Sequence, residues 1–513
     1  MGLRERPHFS AVRRARDSCS PAHVTMTVLP FGPQGSIVMN PLVLSNEEYR
    51  NAYARISELA LDFLASINER PCFPTITGDE SVAMFGQAVP EKGMGPAAMD
   101  ILPRVLDASR PPNPRFFGYV VGSGEPIAAG ADLLASVLNQ NATAWRSGPA
   151  AAAIEQLMTQ WLGEAISCPG FVGILTGGGS SANLSALAMA RESRMPANEH
   201  GVHELGTMYA STEVHMSIPK AIALLGIGRE QLRLIPCDEK FRIRTDLLRQ
   251  SIATDIANGK KPIAVVGTAG TVATGSIDPL REMATIAKAA GAWFHVDGAY
   301  GALAAIARPA DFVGMELADS ISLDPHKWLY QPLDCGCLLY RDLSQARRTF
   351  SFTGDYAKPV QENSVESFAF FEQSVELSRR FRALKLWLSL RYHGLANFRA
   401  QIENDLNCAK HLASLIENNQ ELELLAPVPL SAVCFRYVPR LSALSETQID
   451  ELNLRMLTSI LRRGRVYFSN ATIGGRFALR ACVVNHRTTP ADVEEVVDEV
   501  IAVGRDLTKG NKS

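Results

Sequence analysis

The chain has 513 residues, with 51 Lys+Arg against 53 Asp+Glu and a formal charge of −2. That balance excludes the basic excess of a nucleic-acid binder, and 46% hydrophobic residues with 20% charged ones exclude a disordered chain. Nine cysteines at irregular spacing give no disulfide framework and point to a reducing, cytoplasmic setting, while Cys335-x-Cys337 lacks a second pair for zinc, so no metal is expected.

Residues 1–45 carry Pro, Gly and Ser with little periodicity and read as a disordered tail. The Arg-rich start has no apolar core for a secretory signal, and Arg6 stands where a myristoylation site needs Ser or Thr. No apolar run reaches the roughly 18 residues of a membrane span. A helical pattern begins near Asn46, in EEYRNAYARISELALDFLASI, and opens a helical segment over 46–115. Within it, Pro and Gly crowd residues 71–98, which read as a connection.

From about residue 115, short apolar runs alternate with amphipathic stretches. FVGIL precedes ANLSALAMARES, GTMYAST precedes IPKAIALLG, and PIAVVGT precedes PLREMATIAKAAG; AWFHVD and SISL follow. This alternation predicts an α/β domain over 116–395, with a mostly parallel sheet covered by helices on both faces. A helix over 402–418, SAVCFRYV, a helix over 445–463, RVYFSN, FALRACVV and a terminal helix predict a smaller mixed domain over 396–513.

Ligands of an open parallel sheet bind beyond the carboxyl ends of its strands. After FVGIL comes Thr176-Gly177-Gly178-Gly179-Ser180-Ser181, leading straight into a helix. Glycines let a ligand approach the backbone, and the free N–H groups of a helix start attract phosphate. The run also fits the dinucleotide fingerprint G-x-G-x-x-A at Gly177, Gly179 and Ala182, but the acidic residue expected about 20 positions on is missing. Ala269-Gly270-Thr271 follows PIAVVGT, Asp297 closes AWFHVD, and Asp324-Pro325-His326-Lys327-Trp328 follows SISL. Singly these read as a tight turn, a core Asp and a surface Lys. Together they suit pyridoxal phosphate, which needs a lysine for its aldehyde, an acid at its pyridine nitrogen, a helix N-terminus for its phosphate and flat contacts on both ring faces. Asp297 and Lys327 are thirty residues apart, which puts them on neighbouring or near-neighbouring strand ends.

TGGGSSANLSALAMAR, HVDGAYG, DPHKW with LDCGCLLYRD, and RRFRALKLW, in this order and spacing, resemble the group II pyridoxal-phosphate-dependent amino-acid decarboxylases. That family includes the aromatic-amino-acid, glutamate, cysteine-sulfinate and 2,4-diaminobutyrate decarboxylases. The resemblance runs from about residue 46 to the C-terminus. It implies the fold of aspartate aminotransferase-like enzymes, fold type I, and a homodimer with active sites at the interface. It also implies roles for individual residues. Lys327 resembles the lysine that holds the cofactor, and Asp297 the partner of the pyridine nitrogen. Ala299 resembles the small residue beneath the ring, and His215 the histidine stacked above it that orients substrate and handles protons. Gly179 and Ser180 match the phosphate-binding pair, Thr271 the threonine near the phenolic oxygen and Asp297, and His326 the histidine near the phosphate.

Two departures stand out. Asp324 replaces an Asn of many relatives near the phosphate, and is expected to turn to backbone donors or a neighbouring cation. Counting ten back from Arg380 reaches Phe370, where aromatic-amino-acid decarboxylases are expected to carry a loop tyrosine that protonates the product carbanion; Phe there is linked to aldehyde formation. The nearby Tyr356 reads as a packing residue. Residues 116–123 are expected to line the substrate pocket, with Gly122 where aromatic decarboxylases carry Thr. The reading is α-decarboxylation of an L-amino acid to its amine and CO₂. An aldehyde-forming oxidative deaminase, an aminotransferase and a dinucleotide binder are the alternatives.

Overall fold

A computed structural model describes residues 42–204, 206–352, 365–440 and 444–510. The described residues up to Ala60 form one unit and Leu61–Ser513 another. Most of the expected tail, and Tyr356, lie outside the described residues. The first helix, Asn46–Ser66, starts where Ser45 and Glu48 cap one another, with Glu48 N donating to Ser45 Oγ at 3.2 Å and Ser45 N to Glu48 Oε2 at 2.7 Å. The segment 71–98, read as a plain connection, contains a helix, Gly78–Phe85. Its signal was a capping box, in which Thr77 Oγ1 accepts from Glu80 N and Glu80 Oε2 from Thr77 N.

The strands among the described residues are β1 (Phe116–Phe117), β2 (Val172–Thr176), β3 (Gly206–Ser211), β4 (Leu232–Ile235), β5 (Lys261–Thr268), β6 (Trp293–Asp297), β7 (Ser320–Leu323), β8 (Gly336–Tyr340), β9 (Leu422–Leu424), β10 (Ala432–Tyr437), β11 (Tyr467–Ile473) and β12 (Arg476–Cys482). Seven form one sheet in the order β2-β8-β7-β6-β5-β3-β4. β3, β4, β5, β6 and β7 pair in parallel, and β8 runs antiparallel to both its neighbours. The sequence pattern missed β4 and β8. GCLLY is separated from β7 by a single helical turn, Pro325–Trp328, so it breaks the strand–helix rhythm.

Alternation within these strands divides the core. Tyr209, Val265, Phe294, Ile321 and Leu339 face one layer of helices. Met208, Ala264, Val266, Leu338 and Tyr340 face the other, against Ala182, Ala186, Leu187 and Ala190 of the helix Gly179–Arg194. Burial on both faces is why the strands read as unbroken apolar runs. The second sheet has the order β1-β11-β12-β10-β9. Its apolar face packs on the helices Leu395–Glu417, Glu446–Arg463 and Pro490–Gly510 through Phe435, Leu412, Met456 and Val496. β1, just after the predicted start of the larger domain, pairs with β11 in this second sheet. No helix of the described residues is long and apolar enough to cross a membrane.

Candidate functional site

The carboxyl ends of β2, β5, β6 and β7 open on a cleft of about 680 Å³. Gly177 to Ser181, Asn183, His215, Thr268, Asp297, Ala299, Asp324, His326 and Lys327 line it, so residues 177 to 327 converge on one wall. β6 pairs directly with β7, which makes Asp297 and the Lys327 turn neighbours, as their spacing predicts.

The helix Gly179–Arg194 begins in this cleft with no side-chain cap, which leaves its first N–H groups to a ligand. Gly178 holds φ at 139°, a value a side chain strongly disfavours. Backbone contact closes the loop from behind, since a Cβ on Gly336 would stand 2.4 Å from Gly178 Cα. Gly336, the glycine of CGC, therefore shapes the anion loop. RRFRALKLW does so from further away. Arg379 pairs with Glu155, both fully buried, and donates to Leu175 O at 2.7 Å, while Glu155 Oε1 accepts from Leu175 N at 2.8 Å. That ion pair clamps β2 one residue before its end.

Lys327 Nζ lies 3.0 Å from Asp324 Oδ2, and His326 Nε2 lies 3.4 Å from the same oxygen. Asp324 thus turns to the neighbouring Lys327 and His326 side chains. Its Oδ1 is buried without a hydrogen-bond partner among the described residues. His326 Nδ1 accepts from Cys335 N at 3.3 Å, which places the ring proton on Nε2, towards Asp324. Burial pushes the His326 pKa down. Asp297 accepts three hydrogen bonds: Asn183 Nδ2 to Oδ2 at 2.9 Å, and Ala299 N and Ser322 Oγ to Oδ1 at 3.2 Å each. Burial also lowers the His215 pKa, and Lys327 and Lys220 add to this against Asp297 and Asp324.

Three expectations need correcting. Thr271 does not reach the cleft wall. It is fully buried, its hydroxyl shared with Thr274 Oγ1 at 3.0 Å and Ser276 N at 3.1 Å. Thr268, opposite Asp297 in the sheet register, stands at the wall with its hydroxyl unpaired among the described residues. Of residues 116–123, Tyr119 and Val120 line the cleft, but Gly122 packs on the lysine turn. Its N–H donates to His326 O at 3.0 Å, and a Cβ there would meet His326 O at 2.4 Å. Phe370 is not a loop residue facing the cleft. It is fully buried, edge-on to Phe368 and 4.6 Å from the Arg379 guanidinium. A count along the chain from Arg380 cannot see that cation–π contact.

The residues fit pyridoxal phosphate. The uncapped helix and the glycine loop can accept a phosphate, Ala299 leaves room for a ring, and Lys327 and Asp297 face the same space. The family model for the pyridoxal-dependent decarboxylase conserved domain matches residues 101–438. The aromatic-L-amino-acid decarboxylase of Bacillus atrophaeus is 33% identical, over 91% of this chain and 98% of its own length. The phenylacetaldehyde synthase of Petunia hybrida is 29% identical, over 89% and 95%. Among solved structures, Oryza sativa TDC with PLP and tryptamine superposes with a TM-score of 0.85 at 27% identity, covering 91% of this chain and 99% of that one.

Proposed function

As this chain belongs to the pyridoxal-dependent decarboxylase family and is a PLP-dependent amino-acid decarboxylase of fold type I, we propose that it acts on aromatic L-amino acids, with Lys327, Asp297 and His215 as its catalytic residues. The observation that carries this is the convergence of the three on one cleft with an uncapped helix N-terminus. Tyr119, Val120, Met216, Val272 and Leu333 give the cleft an apolar border suited to a ring-bearing side chain, and the names of the relatives agree.

When bound, the cofactor serves as the electron sink for the charge that CO₂ loss leaves on the substrate α-carbon. Lys327, whose Nζ lies in the cleft beside Asp324, would hold the cofactor's aldehyde carbon. Asp297 would present its carboxylate to the pyridine nitrogen, where a negative charge favours the protonated form. His215 and Ala299, both at the cleft wall, would contact the ring. Gly179, Ser180 and His326 would hold the phosphate. Asp324 restrains the Lys327 and His326 side chains.

Visible absorbance of the purified protein, its loss with borohydride, and CO₂ release across a panel of amino acids test this reading. Release confined to acidic or basic amino acids would refute the aromatic assignment. Phe370 gives no support to an aldehyde product, because its ring lies in the core.

The proposal extends to a cytoplasmic homodimer with the domain limits read from the sequence. Leu134, Val137 and Leu138 stand exposed on the helix Pro126–Leu138, an apolar patch that a second subunit would cover, and the described cysteines are free thiols. Light scattering that found only a fully active monomer would contradict it.

A further inference from the structure

Behind the cleft, a chain of buried hydrogen bonds joins Asp297 to His215 through residues no motif singles out. Asn183 Nδ2 donates to Asp297 Oδ2 and to Ser217 Oγ, each at 2.9 Å. A carboxylate only accepts, so the amide nitrogen must face Asp297, and Asn183 Oδ1 must face His295 Nε2, 3.0 Å away. That forces the His295 proton onto Nε2. Its Nδ1 then accepts from Ser320 Oγ at 2.9 Å, and Ser320 Oγ in turn accepts from Trp293 Nε1 at 2.8 Å. Complete burial lowers the His295 pKa to about 4, in keeping with a neutral ring.

At the other end, Ser217 Oγ has accepted from Asn183, so its own proton is free for His215 Nδ1 at 2.8 Å. Ser217 N also points at that atom, at 3.3 Å. With two donors aimed at it, Nδ1 is an acceptor, and the proton of the neutral ring sits on Nε2. The direction of this chain follows from the charge on Asp297; His295 Nδ1 also lies 3.2 Å from the Ser320 carbonyl oxygen.

We propose that Asn183 and Ser217 are positioning residues: from the buried side of the cleft they fix the orientation of the Asp297 carboxylate and hold His215 as its Nε2–H tautomer. This rests on the roles assigned to Asp297 and His215. The test has a readout on the protein alone. In [15N]histidine-labelled apoprotein, with the His215 signal identified by His215→Asn, the ring nitrogens report a single Nε2–H form. In Ser217→Ala the Nδ1–H form gains population, and Ser217→Thr, which keeps the hydroxyl, restores the parental signal. In the holoenzyme Ser217→Ala lowers kcat about tenfold with KM changed by less than about twofold, as expected when one hydrogen bond to a proton-handling group is lost. Its pH profile also moves, because the His215 ring then answers to the facing charges of Asp297, Asp324, Lys327 and Lys220 without a fixed tautomer.

Asn183→Ala produces the same change at His215 and weakens cofactor binding by the apoprotein about tenfold, since Asp297 loses one of its three donors. Cooperative melting checks that each variant is folded, and the conservative Ser217 pair decides should Asn183→Ala fail to fold. A parental ring signal in Ser217→Ala overturns the proposal. A changed tautomer with unchanged turnover instead removes His215 from the reaction and overturns the reading on which the proposal rests.

Discussion

Asp297 and Asp405 are both buried carboxylates that accept hydrogen bonds from three neutral donors, yet they sit in regions with different tasks. Asp297 ends β6, with Asn183, Ala299 N and Ser322 around it and the cleft in front. Asp405 lies inside the helix Leu395–Glu417, fully buried, and accepts from Tyr330 Oη at 2.9 Å, Gln401 Nε2 at 3.0 Å and Asn485 N at 3.1 Å. Burial pushes its pKa up to about 8, and its hydrogen bonds offset only part of that. Similar donor sets therefore do not make similar sites. The place at a strand's carboxyl end gives Asp297 a space where a ligand's positive charge can meet it. Asp405 ties Tyr330, three residues beyond Lys327, to the C-terminal segment through Asn485.

The largest effect expected is at Lys327. Lys327→Ala should abolish turnover and the cofactor's visible band while leaving the melting curve cooperative. A band that survived borohydride-sensitive at another lysine would break the assignment. Next comes Asp297→Asn, which keeps the shape and hydrogen-bonding reach of the side chain but removes its charge. The rate should fall by roughly three orders of magnitude, about 4 kcal/mol in barrier, with cofactor still bound. Near-parental kcat in that variant would erase the distinction between the two carboxylates.

Asp405→Asn should leave kcat nearly unchanged and act on stability instead. The folded pKa, about 8, lies above the usual carboxylate value of 3.8. Between those two pH values the folded state holds a proton that the unfolded chain has lost, so stability falls as pH rises towards 8 and levels off above it. The contribution is about 1.4 kcal/mol per unit of difference. Asn at 405 should flatten that part of the stability–pH curve, measured by urea unfolding. An unchanged slope would show that Asp405 is already charged in the folded protein.

The two regions also differ in how far the sequence discloses them. Asp297, Lys327 and the glycine loop were legible because a doubly covered parallel strand is an unbroken apolar run, and the chemistry begins where the run stops. The Asn183–His295 and Asn183–Asp297 contacts join residues more than a hundred positions apart, so no spacing rule reveals them. Asp405 reads as one more polar residue on an amphipathic helix. Thr268 and Thr271 share one run of small residues, and only the turn that buries the Thr271 hydroxyl against Ser276 decides which reaches the cleft. β8 escaped because a sheet that admits one antiparallel strand needs no crossover helix before it.

Phe370→Tyr carries the smallest expected effect on the reaction, and it tests the reassignment of that residue from catalysis to packing. The Phe370 ring is fully buried, meets Phe368 at a centroid distance of 4.7 Å, and lies under the Arg379 guanidinium that clamps Glu155 and β2. A phenol hydroxyl added there enters a packed core and needs both room and a partner. Overpacking and an unsatisfied polar group together cost roughly 1–3 kcal/mol. The variant should therefore melt earlier, while the ratio of amine to aldehyde, measured under air and under nitrogen with peroxide followed in parallel, stays that of the parent. If residue 370 donated a proton to the product carbanion, the outcome would invert: a gain in amine at the expense of aldehyde, with stability little changed. That result would return Phe370 to the reaction and require the segment around it to leave the core during turnover.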